Sequence, residues 1–568
     1  MTLAPTFPAR APAPILAALL LAGVATPALA QTATPVPNQA DISRQRVPQP
    51  LPETPQFDLR IQTPERAATP RAVDEIEFEV ARIAVEGATR YPEAEVRAIF
   101  APLEGRKIVL EELRTAANTL ENRYRGDGYF LTRVFVPPQQ VKDGVLTVRV
   151  VEGYIGNAFV ESADEATRER LGKMIAPIVG VKPISLEALE RRLLIINDLP
   201  GIAGNGVLRQ GAELGQSELA LAVTELPSSY SLSVNNTGSD SLGPWAFGAN
   251  ATLSRPFGRI GALDLGLAGA GDKLKELRSF NARYAEPIGS SGTVASLGGL
   301  VAVAKPGGVV KPLDLESFVT SFAARVRHPI LRGRETSLFF DGGITANRSR
   351  TEAVGVRIIL DKTVVAEAGL VLQQSSWLGG VTTASVSIFR GLPFLGSMDS
   401  DAALPSVVGF EPDFTRVTLS GTRLQPIANR FSALVGVQGQ YTGDTLLSGE
   451  QIAFGGPSIG RGYDPSTVAG DRGLGGVIEL RYDMKLPQQA SVNSVQLYTF
   501  VDRARAQSLA NGAQGKVGAT VASWGLGARM ALFSKAFVDV RFADATRSVA
   551  GAVPQRDPRV TVTGFIGF

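Results

Sequence analysis

The chain has 568 residues, with 57 Lys and Arg against 54 Asp and Glu, one His, no Cys, 60 Gly and 36 Pro. Without Cys there is no disulfide framework, thiol nucleophile, iron–sulfur cluster or Cys zinc site. The lone His328 excludes paired-His metal sites, and a net charge of +3 argues against a nucleic-acid binder.

Arg10 precedes an apolar run, Ile15 to Val24, that ends in Ala28-Leu29-Ala30. This pattern predicts a secretory signal cleaved after Ala30. The run is shorter than the about 20 apolar residues of a spanning helix. An exported chain without Cys suits the bacterial envelope. Residues 31–77 read as a linker, with prolines at 35, 37, 48, 50, 52, 55, 64 and 70. Such composition favours extended polyproline geometry. Only residues 38–46 have the character of a short helix.

Order begins near Phe78. Residues 78–85 read as a strand, 92–100 and 109–124 as helices, and 133–136 and 145–151 as strands. A second cycle follows, with strand 154–160, helices 163–175 and 186–199, and strands 206–209 and 217–224. Two units of one size and order, 78–152 and 153–226, predict a tandem α+β repeat. One larger α+β domain is the alternative.

After Glu225 helical periodicity stops and alternation takes over. In the run from Ile478 to Leu486, Ile478, Leu480, Tyr482, Met484 and Leu486 share one face, and Glu479, Arg481, Asp483 and Lys485 the other. An unbroken apolar row backed by four charges suits a wall between lipid and a wet lumen. The four charged residues are therefore candidate pore-lining groups. Sixteen strands are predicted, near 228–237, 245–255, 262–270, 278–286, 294–304, 317–327, 335–347, 364–374, 380–390, 414–424, 431–440, 474–486, 494–505, 521–532, 536–543 and 559–568. The long gaps, 305–316, 348–363, 391–413, 441–473, 506–520 and 544–558, all follow odd-numbered strands. Long loops on one side and tight turns on the other are the layout of a transmembrane β-barrel, here residues 227–568. His328 reads as a residue of a short periplasmic turn.

The stretch from Gly128 to Gly153 (GYFLTRVFVPPQQVKDGVLTVRVVEG) resembles the first POTRA domain of two-partner secretion transporters, the TpsB or haemolysin secretion/activation family. That resemblance implies two periplasmic POTRA domains ahead of a sixteen-stranded outer-membrane barrel. A second signature, Arg461-Gly462-Tyr463 within the longest loop, resembles the family's loop-tip motif. In the family this tip folds into the lumen and its Arg pairs with the Asp of an F-x-D-x-G motif. Here that motif reads Phe500-Val-Asp502-Arg-Ala504, with Ala for Gly. Phe500 and Asp502 share a face with Gln496 and Tyr498, hence the lumen. An Arg–carboxylate pair would give charge-assisted bonds to hold the loop.

The implied activity is secretion, with activation as an optional further role, of an unfolded partner exoprotein, captured by POTRA edges or grooves and gated by loop 441–473. Implied partners are that exoprotein and outer-membrane lipid. No catalytic residue, cofactor, metal, nucleotide or nucleic acid is expected, and the chain is expected to act as a monomer. Two alternatives stay open. A factor that inserts other barrels usually carries three or more POTRA units, and a passive solute porin needs none.

Overall fold

The computed structural model describes residues 59–61 and 77–568, except 142, 162, 376, 487–491, 510–516, 534, 548 and 550–557. The expected signal, most of the linker and the expected helix at 38–46 lie outside the described residues.

In chain order, the N-terminal part comprises β1 (Leu59–Ile61), β2 (Glu77–Val80), β3 (Arg82–Glu86), α1 (Glu93–Phe100), β4 (Arg106–Val109), α2 (Leu110–Gly126), β5 (Arg133–Phe135) and β6 (Val145–Val151). It continues through β7 (Tyr154–Glu161), α3 (Glu165–Ile175), α4 (Leu186–Asn197), β8 (Ile202–Gln210) and β9 (Gln216–Glu225). The two units repeat one topology. In the first, β6 lies between β3, parallel, and β5, antiparallel. In the second, β9 lies between β7, parallel, and β8, antiparallel. Each sheet buries one face under its two helices. Leu113, Leu120 and Tyr124 of α2 pack on Val148 and Val150 in the first unit. Leu171, Leu189 and Leu193 pack on Leu219 and Leu221 in the second. Leu113 and Leu120, seven apart, and Leu189 and Leu193, four apart, each share one stripe of their helix.

Two features depart from the expectation. The strand expected at 78–85 is two strands, β2 and β3, and β2 forms its own ladder with β4, an element the sequence reading missed. In the expected linker, Leu59–Ile61 forms β1 and pairs in parallel with Gly206–Leu208 of β8. The second unit's sheet is thus four-stranded, in the order β1-β8-β9-β7. Pairing needs only backbone N–H and C=O groups, so a Pro-rich tract can add a strand wherever a short stretch lacks Pro.

The rest is a closed barrel of sixteen antiparallel strands. They are β10 (Ser229–Asn235), β11 (Ala246–Ser254), β12 (Ala262–Ala270), β13 (Leu277–Ile288), β14 (Thr293–Ala304), β15 (Leu315–Arg332), β16 (Thr336–Ala353), β17 (Val356–Ser375), β18 (Val381–Gly391), β19 (Thr415–Ala428) and β20 (Phe431–Thr442). A short hairpin, β21 (Ile452–Phe454) and β22 (Val468–Gly470), intervenes. The barrel resumes with β23 (Arg472–Asp483), β24 (Val492–Ser508), β25 (Val517–Leu532), β26 (Ala536–Ala545) and β27 (Arg559–Gly567). β27 closes on β10, from Ser231↔Gly567 to Asn235↔Thr563. Closure leaves no unpaired edge, which is what lets strands cross a bilayer. Among the described residues no helix is long and apolar enough to cross a membrane.

Each predicted barrel strand has its counterpart. The expected long loop 348–363 does not form. β16 and β17 stay paired to Ala353↔Val356 and turn through Val354 and Gly355, both at positive φ. His328 is not in a turn either. It lies within β15, with Nδ1 2.8 Å from the Thr293 hydroxyl.

The second unit is fastened to the even-strand turns. Arg332 meets the Asp198 carboxylate with both Nε (2.6 Å) and Nη2 (2.8 Å). Arg255 pairs with Asp164 at 2.5 Å, and Arg334 with Glu190 at 2.9 Å. Ile260, from the turn between β11 and β12, is buried in the core of this unit. The turn side of the barrel is therefore the side of the N-terminal units.

Candidate functional site: a loop tip on the inner barrel wall

Alternation puts Tyr498, Phe500, Asp502, Ala504 and Ala506 of β24 on one face, all buried, while Leu497 and Val501 are exposed on the other. On β23, Ile478 and Leu480 are exposed and Glu479 is buried. The apolar exposed row faces outward, so the buried row is the inner wall.

The loop joining β20 to β23 lies against this wall. Its Ile452, Phe454, Ile459, Tyr463 and Val468 form one cluster with Tyr498, Phe500, Val521 and Ala543. An apolar core inside a barrel is not what a wet lumen implies, and alternation along the strands gives no sign of it. The fit needs small residues on the wall. A Cβ on Gly475 would sit 2.7 Å from the Phe454 ring and 2.7 Å from the Ala504 Cβ, its directly paired neighbour. Gly475 thus makes room for Ala504 where the family motif has Gly. Likewise a Cβ on Gly525 would strike the Phe500 ring at 2.6 Å.

The loop tip carries Arg461. Its guanidinium does not pair with Asp502 as expected. Nη1 donates instead to Glu479 Oε2 at 2.7 Å, and the group stacks 4.5 Å from the Phe500 ring centre. Asp502 accepts the backbone N–H of Arg461 at 3.2 Å and the Ser523 hydroxyl at 2.6 Å. The strand that follows the loop brings Glu479 nearer to the Arg461 side chain, and Asp502 is left to the main chain of the tip. Phe500 and Asp502 therefore do meet the tip, in roles divided differently from the expectation.

Glu479 is not water-lining. It is 0 % exposed and accepts from three arginines. Besides Arg461, Arg481 Nε lies 2.7 Å from Oε1, and Arg529 reaches Oε1 at 2.6 Å and Oε2 at 3.2 Å. Arg481 is only part-exposed for the same reason, whereas Asp483 and Lys485 are exposed. Lys485 lies past the end of β23. Of the four candidate pore-lining residues, two form the anchor of the loop. A buried carboxylate sharing several guanidiniums satisfies its lone pairs and offsets its desolvation.

Other contacts were not anticipated. The Tyr463 hydroxyl lies 2.8 Å from the Arg547 carbonyl oxygen and 3.0 Å from that of Ala522. Arg541 donates to the Pro457 carbonyl at 3.1 Å, and Arg559 pairs with Asp464 at 2.7 Å. At the loop's base, Asp471 accepts the backbone N–H groups of Leu446 (2.9 Å) and Leu509 (2.6 Å). Among the described residues no three or more His, Asp and Glu side chains cluster in a way that could hold a metal ion.

Residues 215–530, more than half of the chain, match the profile of the haemolysin secretion/activation protein ShlB/FhaC/HecB family. The chain belongs to that family. Residues 78–153 match the ShlB-type POTRA domain. A heme/hemopexin transporter protein, HuxB of Haemophilus influenzae, is 24% identical over 382 residues, covering 65% of this chain and 66% of HuxB. The match thus spans just under two thirds of that relative. The outer membrane transporter CdiB of Escherichia coli O6:K15:H31 is 24% identical over 433 residues, covering 75% of this chain and 72% of CdiB. The solved CdiB structure from Escherichia coli superposes with a TM-score of 0.69 at 21% identity, covering 89% of this chain and 93% of that one. This is a likeness of fold, POTRA units and barrel together.

The POTRA units hold their own buried charge. Glu152, at the end of the first sheet, is 1 % exposed. It accepts the Thr89 N–H (2.7 Å), Arg90 N–H (2.9 Å), Thr89 hydroxyl (2.5 Å) and Tyr124 hydroxyl (2.7 Å). Burial pushes its carboxyl upward, but the hydrogen bonds from Thr89, Tyr124 and the Arg90 main chain outweigh it and hold it below the usual range.

Proposed function

We propose that this chain is an outer-membrane transporter that passes one unfolded partner exoprotein from the periplasm to the cell surface. The observation that carries this reading is a closed barrel whose inner wall holds a long loop, with the second POTRA unit fastened at the opposite mouth. Family membership supports it, and the relatives named above are transporters. The POTRA sheets would take the client by strand addition. On the second sheet, the outer edge of β8 is already paired with β1, so a client there would have to displace Leu59–Ile61. The Arg461–Glu479 anchor would seat the loop across the pore at rest, poised for the arriving client to displace it and open the path. No catalytic step is required. The exposed Asp483 and Lys485 would line the wet part of the lumen, and the chain would act as a monomer.

The test is deletion of the gene in the native host, followed by quantitation of proteins in the medium. Loss of one or two exported proteins, restored by the wild-type chain, is the expected result. An unchanged medium with depleted outer-membrane proteins would favour an assembly factor, and an unchanged medium with altered solute uptake would favour a porin.

A further inference from the structure

The outer wall of the barrel carries a feature that transport does not use. Directly paired residues on neighbouring strands share a face. Phe280 pairs with Val301, Val301 with Thr320, Thr320 with Arg348, and Arg348 with Lys362. Phe280 and Val301 are exposed large hydrophobics of the barrel, so this transverse row faces outward. One step toward the POTRA side, the same face reads Ala282, Gly299, Phe322, Ala346 and Val364. Arg348 and Lys362 are thus the first charges above the apolar belt, on the side away from the POTRA units.

Three observations point to an anion here. Like charges placed directly opposite across two strands repel each other. Among the described residues neither the Arg348 guanidinium nor the Lys362 ammonium has an acidic partner. The two also border a concavity of about 570 Å³, floored by Phe280, Val301 and Phe322 and overhung by Leu395. The segment bearing Leu395 is held in place, with Leu392 N–H donating to the Val364 carbonyl (2.8 Å) and Met398 N–H to that of Lys362 (3.1 Å). Arg350, next on the same face of β16, stacks on Phe318 5.1 Å away and adds a third cation.

We propose that this concavity binds the phosphate-bearing headgroup of an outer-leaflet glycolipid, its acyl chains lying down the wall below. A guanidinium and an ammonium side by side suit a phosphate, one bidentate and one as a point charge. The apolar floor suits the first methylenes of the chains. The inference rests on the barrel sitting in an outer membrane but not on any client, so it is tested without one.

The experiment titrates the purified full-length chain in detergent with diphosphoryl lipid A and reads the bound fraction by native mass spectrometry. Arg348→Gln with Lys362→Gln is expected to weaken binding about tenfold or more, since each surface cation contributes appreciably to anionic lipid binding. Lys273→Gln with Lys275→Gln, exposed cations of a neighbouring loop, is expected to leave it unchanged. Arg348→Lys with Lys362→Arg should restore most of it. Both residues lie at the surface, and unaltered heat-modifiability on gels would confirm the fold of each variant. Equal binding by the double Gln variant, or by lipid A stripped of its phosphates, would overturn the proposal. So would displacement by equimolar inorganic phosphate, which would make the site one for free anion. Equal loss in the Lys273/Lys275 control would also overturn it.

Discussion

Arg461 at the loop tip donates to Glu479 on the adjoining strand at 2.7 Å, beneath the ring of Phe500. Glu479 is shared with Arg481 and Arg529, so it is the hub of the site and Arg461 one of its spokes. Glu479→Ala leaves three guanidiniums without their common counter-charge, whereas Arg461→Ala leaves Glu479 with two partners. Removing one partner of a buried pair costs about 3–5 kcal/mol where the other stays unpaired. Glu479→Ala is therefore expected to lower the melting temperature of the barrel far more than Arg461→Ala, read by heat-modifiability on gels. The reverse order would show that the loop, not the wall, holds the cluster together.

Asp502→Asn is expected to be milder. It keeps the shape and one carbonyl oxygen to accept the Arg461 N–H, while its NH2 faces the Ser523 hydroxyl, which turns from donor to acceptor because the two groups bond different oxygens of Asp502. A charge-assisted bond exceeds a neutral one by about 1 kcal/mol. Cysteines placed at the loop tip, clean probes because the chain has none, should label slightly faster in Asp502→Asn and much faster in Arg461→Ala. Equal rates in the two variants would put the main-chain contact on a par with the side-chain pair.

Glu152 fixes a pH dependence for the first POTRA unit. Its folded carboxyl lies below the usual range. Its contribution is therefore complete above the unfolded value and is lost as pH falls through the folded one. Glu152→Gln forfeits charged bonds worth about 2 kcal/mol at neutral pH. Hydrogen exchange of β3 and β6 in the intact chain should rise on acidification in the wild type. The rise should be much smaller in Glu152→Gln.

The grip of the second POTRA unit depends on Arg332, which is 5 % exposed and bidentate on Asp198. Asp198→Asn breaks a charged pair but leaves Arg255–Asp164 and Arg334–Glu190 in place. The unit should stay attached but swing more widely, read as a broadened spin-label distance distribution between POTRA and barrel. An unchanged distribution would assign the grip to Ile260 and its apolar surroundings.

The sixteen strands were legible because lipid on one side and loop or water on the other impose a period of two on every span. The POTRA helices were legible because Leu113 with Leu120, and Leu189 with Leu193, each keep to one stripe of their own helix. What sequence did not show depends on contacts distant along the chain. Leu59–Ile61 joins β8 through main-chain bonds that carry no side-chain signature. Glu479 read as one of four alternating charges, and only folding distinguishes it from Asp483 by laying Arg461 over it. The run of small wall residues, with Gly475 facing Ala504, was the one available hint that a Phe from the loop would pack there.

β1 leads to a prediction for capture. Arg60→Pro removes a main-chain donor from a three-residue strand and should detach it from β8. The freed edge should bind the exported client more tightly. Unchanged affinity would place capture on the other POTRA edges.

The most direct test of the account measures the partner exoprotein in the medium for wild-type, Arg461→Ala and Glu479→Gln chains matched for folded barrel in the outer membrane. The account predicts that export falls in both variants, because the client opens the path by displacing a loop that this anchor seats in the pore. It also predicts that pore conductance changes in the same chains. Wild-type export with the loop demonstrably displaced from the wall would contradict it.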